Sequence, residues 1–360
     1  MKILAAMSGG VDSSAAAALL LRDGHDVAGG TLRLFSDDAV TGSCGNPREA
    51  ADARAVCETL GIAHHIIDGR DIFRDCVTRP FVRAYLDGLT PNPCLLCNKR
   101  LKFGLLLDWA IERGFDAVAT GHYARSRLDE ATGRYILLRA VHPEKDQSYA
   151  LYSLSQHQLA HSLFPLGGMT KAQVRQFAED AALPTARKPD SQDICFVPDG
   201  DYMGFILSHA DRAHAQTPPM SGSIVTADGT VIGAHDGIAA YTIGQRKGLG
   251  GQGRPVYVLE KDPVTATVTV GPDEALYKTV CRAENVNWIV PPDGDAPFRA
   301  AVKTRYTHGG APAEVRPDGT GAVITFDTPQ RALTPGQAAV MYDGEVVVGG
   351  GEISQLTIDS

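Results

Sequence analysis

Ser8-Gly-Gly-Val-Asp-Ser-Ser14 brings together the kinds of group that handle phosphate. Adjacent Gly9 and Gly10 let the backbone turn tightly and press its N–H groups against an anion. Ser13 and Ser14 add hydroxyls where a helix begins and its dipole favours negative charge. Asp12 could hold Mg²⁺ against a pyrophosphate. The loop lacks the lysine of the G-x-x-x-x-G-K-[ST] type, so γ-phosphate transfer is disfavoured. The second group is sulfur. Cys94-Leu-Leu-Cys97 follows the rigid Pro91-Asn-Pro93 turn, and Cys97 opens a helix with Lys99 and Arg100 beside it, which favours the thiolate. A structural zinc site would need a second Cys or His pair, and none has the spacing. Cys195, in Asp190-Ser-Gln-Asp-Ile-Cys-Phe196, resembles a core cysteine when taken alone. Cys57 reads as core, Cys76 and Cys281 as structural, and Cys44 lies in a Gly/Ser/Asn-rich loop with its role open.

These groups need elements to hold them. Residues 1 to about 121 alternate strand and helix signals. Apolar Ile3–Met7 precedes the glycine loop, and Ala15–Leu21 follows it as a helix. Asp26–Leu34 and Ile62–Ile67 read as strands. Pro47–Leu60 reads as a helix with Pro in its first turn and Gly61 as its stop. An amphipathic helix is predicted over Leu101–Arg113 and a strand over Asp116–Thr120. This βαβα rhythm predicts an α/β fold with a doubly wound, mostly parallel sheet, whose ligands lie at the carboxyl ends of strands. Ser8, Leu32 and Gly121 fall at such ends. Helices are predicted over Ser155–Leu163, Thr170–Ala182 and Gly200–His209. After Thr217-Pro-Pro-Met-Ser-Gly222 period-2 alternation takes over, predicting short strands that build small barrels. The boundaries fall near 210 and 277. They give a catalytic domain over 1–210, a small central β domain over 211–276 and a C-terminal β-barrel over 277–360.

The 360 residues are 44% hydrophobic and 21% charged, with a net charge of −8. That balance suits a globular protein and argues against a general cationic coat for nucleic acid, although local patches decide that point. No apolar run reaches the length of a membrane span. The chain enters a strand at once, without a basic n-region and cleavage site, so no signal peptide is expected. Seven cysteines, an odd count, suit a reducing cytoplasmic compartment.

Short segments mix donors with planar groups: Gly121-His-Tyr123, Lys145-Asp-Gln-Ser-Tyr149, Gly244-Gln-Arg-Lys-Gly-Leu-Gly250, Lys303-Thr-Arg-Tyr306 and Pro335-Gly-Gln337. Arg and Lys suit phosphates, whereas Gln, Asn and aromatics suit bases or sugars. Singly, each reads as a solvated loop.

The Ser8–Ser14 segment resembles the PP-loop of ATP pyrophosphatases, which cleave ATP between the α- and β-phosphates. Eight blocks in order, SGGVDSS, PNPCLLCN, ATGHY, KDQSY, DSQDICF, YTIGQRKGLG, KTRY and TPGQ, resemble the bacterial tRNA-specific 2-thiouridylase family over nearly the full length. The resemblance implies a PP-loop domain, a small central β domain and a C-terminal β-barrel. It also implies ATP-dependent 2-thiolation of the wobble uridine in the tRNA anticodon stem-loop. An upstream persulfide donor would deliver the sulfur, and no membrane or DNA partner is implied. By the same resemblance ATP, with Mg²⁺, falls on Ala6, Met7, Ser8, Gly9, Gly10, Val11, Asp12, Ser13, Leu32 and Gly121. Cys97 matches the nucleophile and Cys195 the persulfide carrier, a pair able to close a disulfide. Asn92, Pro93 and Cys94 match the segment that meets the target base. His122, Lys145, Asp146, Gln147, Arg305, Tyr306 and Gln337 match tRNA-contacting positions.

The chain departs from the family pattern at Cys94, where an acid/base Asp is usual, and at Gln192-Asp193, where Thr-Gly is commoner. Cys94, Cys97 and Cys195 thus make a candidate three-thiolate set for a [4Fe–4S] cluster, the route expected here in preference to a persulfide relay. Two other functions compete with tRNA thiolation. An adenylating PP-loop synthetase acting on another acceptor would have no use for Cys97 with Cys195. A non-catalytic RNA-binding sulfur carrier would have no use for an intact Ser8–Ser14 loop.

Overall fold

The computed structural model describes residues 1–35, 47–190, 194–197, 200–213, 221–249 and 255–354. Cys44, Gln192, Asp193 and Gly250 therefore lie outside the described residues. The chain divides into two compact units, one of residues 1–77, 93–200 and 345–347, the other of 78–92, 201–344 and 348 onward.

The first unit is built on a five-stranded parallel sheet of β1 (Lys2–Ala6), β2 (Asp26–Arg33), β3 (His64–Asp68), β4 (Ala117–Ala119) and β7 (Ser162–Leu163), in the order β3-β2-β1-β4-β7. The side chains of β1 alternate between two cores. Ile3 and Ala5 pack with the helices Val11–Arg22 and Pro47–Leu60, and Leu4 packs with Leu106, Leu107 and Ala110 of the Leu106–Glu112 helix. A strand buried on both faces reads as continuous apolar sequence, as Ile3–Met7 does. The chain moves from β1 to β2 on one side and to β4 on the other, so the order reverses at β1. The crevice at that reversal is where an open parallel sheet takes a ligand.

Some details differ from the sequence-based expectation. The Leu101–Arg113 helix is the end of a longer helical stretch, with a π-helix over Cys97–Leu105 before the α-helix Leu106–Glu112. The helix begun at Gln156 stops at Ala160, and Ser162–Leu163 pair with β4, because edge pairing outweighs local helix preference. A hairpin of β5 (Ala124–Asp129) and β6 (Arg134–Arg139) was not anticipated. Val346, in residues 345–347, pairs with Leu138 of that hairpin.

In the second unit β8 (Gly222–Thr226), β9 (Val231–His235), β10 (Tyr257–Asp262) and β11 (Thr267–Gly271) form a small sheet in the order β10-β11-β8-β9. A six-stranded barrel follows, of β12 (Tyr277–Trp288), β13 (Phe298–Lys303), β14 (Ala311–Asp318), β15 (Gly321–Arg331), β16 (Ala338–Asp343) and β17 (Val346–Ile353). It runs β12-β15-β14-β13-β16-β17 and is closed by the β12–β17 pairing. Ala311, Ala313 and Val315 alternate inward along β14 and meet Ile324 and Phe326 of β15 in the barrel core. No helix among the described residues is long and apolar enough to cross a membrane.

Candidate nucleotide and sulfur site

The loop after β1 is shaped by its own hydroxyls. Ser13 Oγ accepts from Ser8 N–H at 3.2 Å and donates to the Gly10 carbonyl at 3.0 Å. Ser14 Oγ donates to the same carbonyl at 2.8 Å and accepts from Thr185 Oγ1 at 2.8 Å. Gly9 takes φ +72°, and a Cβ there would lie 2.4 Å from the Glu49 carbonyl oxygen, so only glycine fits. Gly10 caps the Val11–Arg22 helix without a side chain, leaving the first N–H groups available to an anion. At the end of β4, a Cβ on Gly121 would stand 2.7 Å from Asp12 C and Ser13 N. The segment after β4 therefore meets the first turn of the Val11–Arg22 helix backbone to backbone. Leu32, at the end of β2, lies beside Thr31, whose hydroxyl donates to the Met7 carbonyl at 2.9 Å.

Asp12 is the centre of a charged network. Tyr123 OH donates to its Oδ1 at 2.8 Å, and Lys171 Nζ contacts both its oxygens. Lys171, from the helix Lys171–Asp180, also reaches Asp190 at 2.7 Å, and Asp190 further binds Lys145 at 3.0 Å and Arg175 at 2.8 Å. Burial opposes ionisation of Asp190, but hydrogen bonds from Lys171 and Lys145 outweigh it and bring the carboxyl down to about 2. Burial, with Asp12 alongside, pushes the Tyr123 hydroxyl well up, so it stays a donor. Lys188 braces the loop from another side, donating to the Gly9 carbonyl at 2.9 Å and to Asp52 at 2.7 Å. Asp12 and Asp190 thus converge on one cationic atom. Oxygen donors of this kind fit Mg²⁺ bound together with nucleotide phosphates. The sequence does not single out Lys171, Arg175 or Lys188, and it groups Tyr123 with Gly121-His122 rather than with Asp12. The nearest signal is the helix predicted over Thr170–Ala182, which Thr170 caps in a complete box with Gln173.

The cysteines are placed differently from one another. Cys94 is exposed in the turn Pro93–Leu96, and Cys97 is half-buried at the head of the π-helix. Burial, then Arg100, lowers the pKa of Lys99 beside it. Cys195 is half-buried in a turn closed by Val197 N–H to the Ile194 carbonyl at 3.0 Å. Its neighbour Phe196 is buried edge-on against Phe73. Among the described residues no three His, Cys, Asp or Glu side chains gather to hold a single metal ion, at Cys94, Cys97 and Cys195 or elsewhere, and the expected iron–sulfur ligation is not shown. Cys57 and Cys281 are buried, and burial pushes their thiols up to about 11 and about 12.

The residues matched to RNA contact are distributed over both units. In the first, Asp146 is buried, accepting from the N–H groups of Ala140 and Ser148. Gln147 Oε1 accepts from Tyr123 N–H at 2.9 Å. His122 accepts or donates at Thr120 Oγ1 and packs between Phe103 and Phe164, where burial, then Lys102, holds it neutral. In the second, Arg305 donates to the Arg331 carbonyl, Tyr306 is exposed, and Gln337 Nε2 donates to the Thr90 carbonyl at 2.7 Å. Asn92 is half-buried and Pro93 buried.

Comparison with known proteins places the chain. Residues 1–199 match the family described as tRNA methyl transferase HUP domain, 213–272 that described as tRNA methyl transferase PRC-barrel domain, and 278–353 that described as aminomethyltransferase beta-barrel domain. The chain is 48% identical to the tRNA-specific 2-thiouridylase MnmA of Acidobacterium capsulatum over 367 residues, covering 98% of each. It is 46% identical to the protein of the same name from Solibacter usitatus, again covering 98% of each, and 47% identical to that of Nostoc sp., covering 99% of each.

Proposed function

The chain belongs to the tRNA-specific 2-thiouridylase family, and from that premise we propose that it thiolates the wobble uridine of tRNA in two stages, adenylation and sulfur transfer. The observation that carries the first stage is the meeting of Gly121 with Asp12 and Ser13 at the point where strand order reverses. A phosphate chain laid there meets uncapped helix N–H groups and the Lys171 ammonium.

The C2 carbonyl of uracil is a poor electrophile because its oxygen leaves badly. Attack of O2 on the α-phosphorus forms the O–P bond and expels pyrophosphate, whose charge the loop amides and Lys171 stabilise. Mg²⁺, held by Asp12, would supply further charge neutralisation at the phosphates. A persulfide on Cys195, loaded by an upstream donor, then attacks C2, and AMP departs with the former O2. The Cys97 thiolate attacks the Cys195 sulfur. The Cys97–Cys195 disulfide forms, the sulfur stays on C2, and an external thiol later reduces the disulfide. His122, Lys145, Gln147, Arg305, Tyr306 and Gln337 are proposed to meet the RNA, and Asn92, Pro93 and Cys94 the target base. The domains are taken to divide near 210 and 277.

The test supplies purified protein with unmodified tRNA, ATP and a persulfide donor. AMP and 2-thiouridine are expected together, and Cys97→Ser should abolish the second. AMP release that ignores tRNA, with no thiolated nucleoside, would overturn the reading.

A further inference from the structure

The helix headed by Cys97 is a nine-residue π-helix, Cys97–Leu105, whose ladder runs one residue longer than that of an α-helix: Leu106 N–H reaches back to the Leu101 carbonyl. Such turns are rare and need support. Gln158 supplies it. Its Nε2 donates to the Lys99 carbonyl at 3.0 Å and to the Phe103 carbonyl at 2.7 Å, two groups on this helix alone. Its Oε1 accepts from Ser155 N–H at 2.9 Å, completing the capping box of the helix Gln156–Ala160. Both amide hydrogens and the oxygen are thereby used. Gly104 belongs to the same device, since a Cβ on it would press on the Lys99 carbonyl at 3.1 Å. On the next residue after Cys97, buried Asn98 donates to the Ala150 carbonyl at 3.0 Å.

We propose that Gln158 is a positioning residue for Cys97: its two hydrogen bonds hold the π register, and that register sets the direction of the thiol. Loss of one residue of register would turn the head of the helix by about 100° relative to the α-helix Leu106–Glu112. The proposal rests on reading Cys97 as the sulfur-handling thiol.

Two variants separate positioning from support. Gln158→Glu keeps the oxygen that caps Ser155 but replaces the donating NH₂ by a second acceptor facing two carbonyls. Ser155→Ala removes the cap hydroxyl and keeps both donors. In Gln158→Glu, kcat for thiolation should fall by about tenfold or more, with KM for ATP and tRNA unchanged. The rate and pH profile of Cys97 alkylation by iodoacetamide should shift as well. Ser155→Ala should lower the melting temperature and leave Cys97 alkylation as in wild type. Should Gln158→Glu not fold, Gln158→Met removes the donors at similar length and is read in its place. Wild-type Cys97 alkylation and kcat in the folded Gln158 variant would overturn the proposal. Failure of the thiolation reading is distinct, since it would show as 2-thiouridine still formed by Cys97→Ser.

Discussion

Lys171 Nζ lies 2.7 Å from Asp12 Oδ1 and 2.9 Å from Oδ2, so one ammonium grips the carboxylate of the glycine loop by both oxygens. With a side chain only 15% exposed, Lys171 is a sheltered cation beside the glycine loop. Sheltered charge acts more strongly on a developing anion than charge in water.

Lys171→Ala should therefore slow tRNA-dependent AMP formation by about 100-fold, the scale of losing one preorganised donor. Asp12→Ala should abolish it, with circular dichroism and melting behaviour retained. AMP formation at the wild-type rate in Asp12→Ala would remove the loop from the chemistry.

Cys97→Ser and Cys195→Ser should each eliminate 2-thiouridine, measured by nucleoside mass spectrometry, and leave ATP binding intact. Cys94→Asp should still thiolate, and protein prepared anaerobically should carry no stoichiometric iron, because the proposed persulfide route needs none. Iron at one cluster per chain, lost in Cys94→Asp along with activity, would reverse that conclusion.

Gly121→Ala places a methyl 2.7 Å from the backbone of Asp12 and Ser13, where no flexible side chain can yield. The loop must shift, and a shift near 1 Å at a reacting site costs up to about 100-fold in rate. The variant should fold, bind ATP weakly in calorimetry and form little AMP. ATP affinity equal to wild type would show that the loop does not meet the nucleotide.

Asp190 gives a pH signature. Its folded pKa, about 2, lies below the unfolded value of about 3.9. The stability it contributes is therefore fully present above the unfolded value and is lost as pH falls toward the folded one. Urea midpoints of wild type and Asp190→Asn should differ at pH 6 and converge as pH drops through that window. A gap that stays constant into acid would mean that the Lys171 and Lys145 contacts do not hold the charge.

The legible parts of this protein were the local ones. Ser8–Ser14 declares itself because strand, loop and helix are adjacent in sequence, and Pro47–Leu60 because its start and stop residues flank it. Lys171 and Tyr123 were not legible as partners of Asp12, standing 159 and 111 positions away, a pairing no periodicity encodes. The π-helix differs from an α-helix by one residue of hydrogen-bond register, which side-chain spacing does not record. Strand β17 was missed because Gly349-Gly-Gly351 weakens its strand signal, although the barrel requires it. Cys94 is a different case: its spacing from Cys97 permits shared ligation, but ligation also needs a third thiol nearby in space, which sequence does not record.

Strand β17 is the last of these strands to be synthesised. The pairing of Val346 with Leu138 joins residues about 200 positions apart, a contact of high sequence separation. During synthesis the β5–β6 hairpin leaves the ribosome long before its third strand exists, and the barrel waits for the same segment to close. A chain cut before residue 345 would expose one edge of β6 and an open barrel at once, two templates for aggregation. Translation that stops short of β17 thus leaves the hairpin and the barrel each with an unpaired edge.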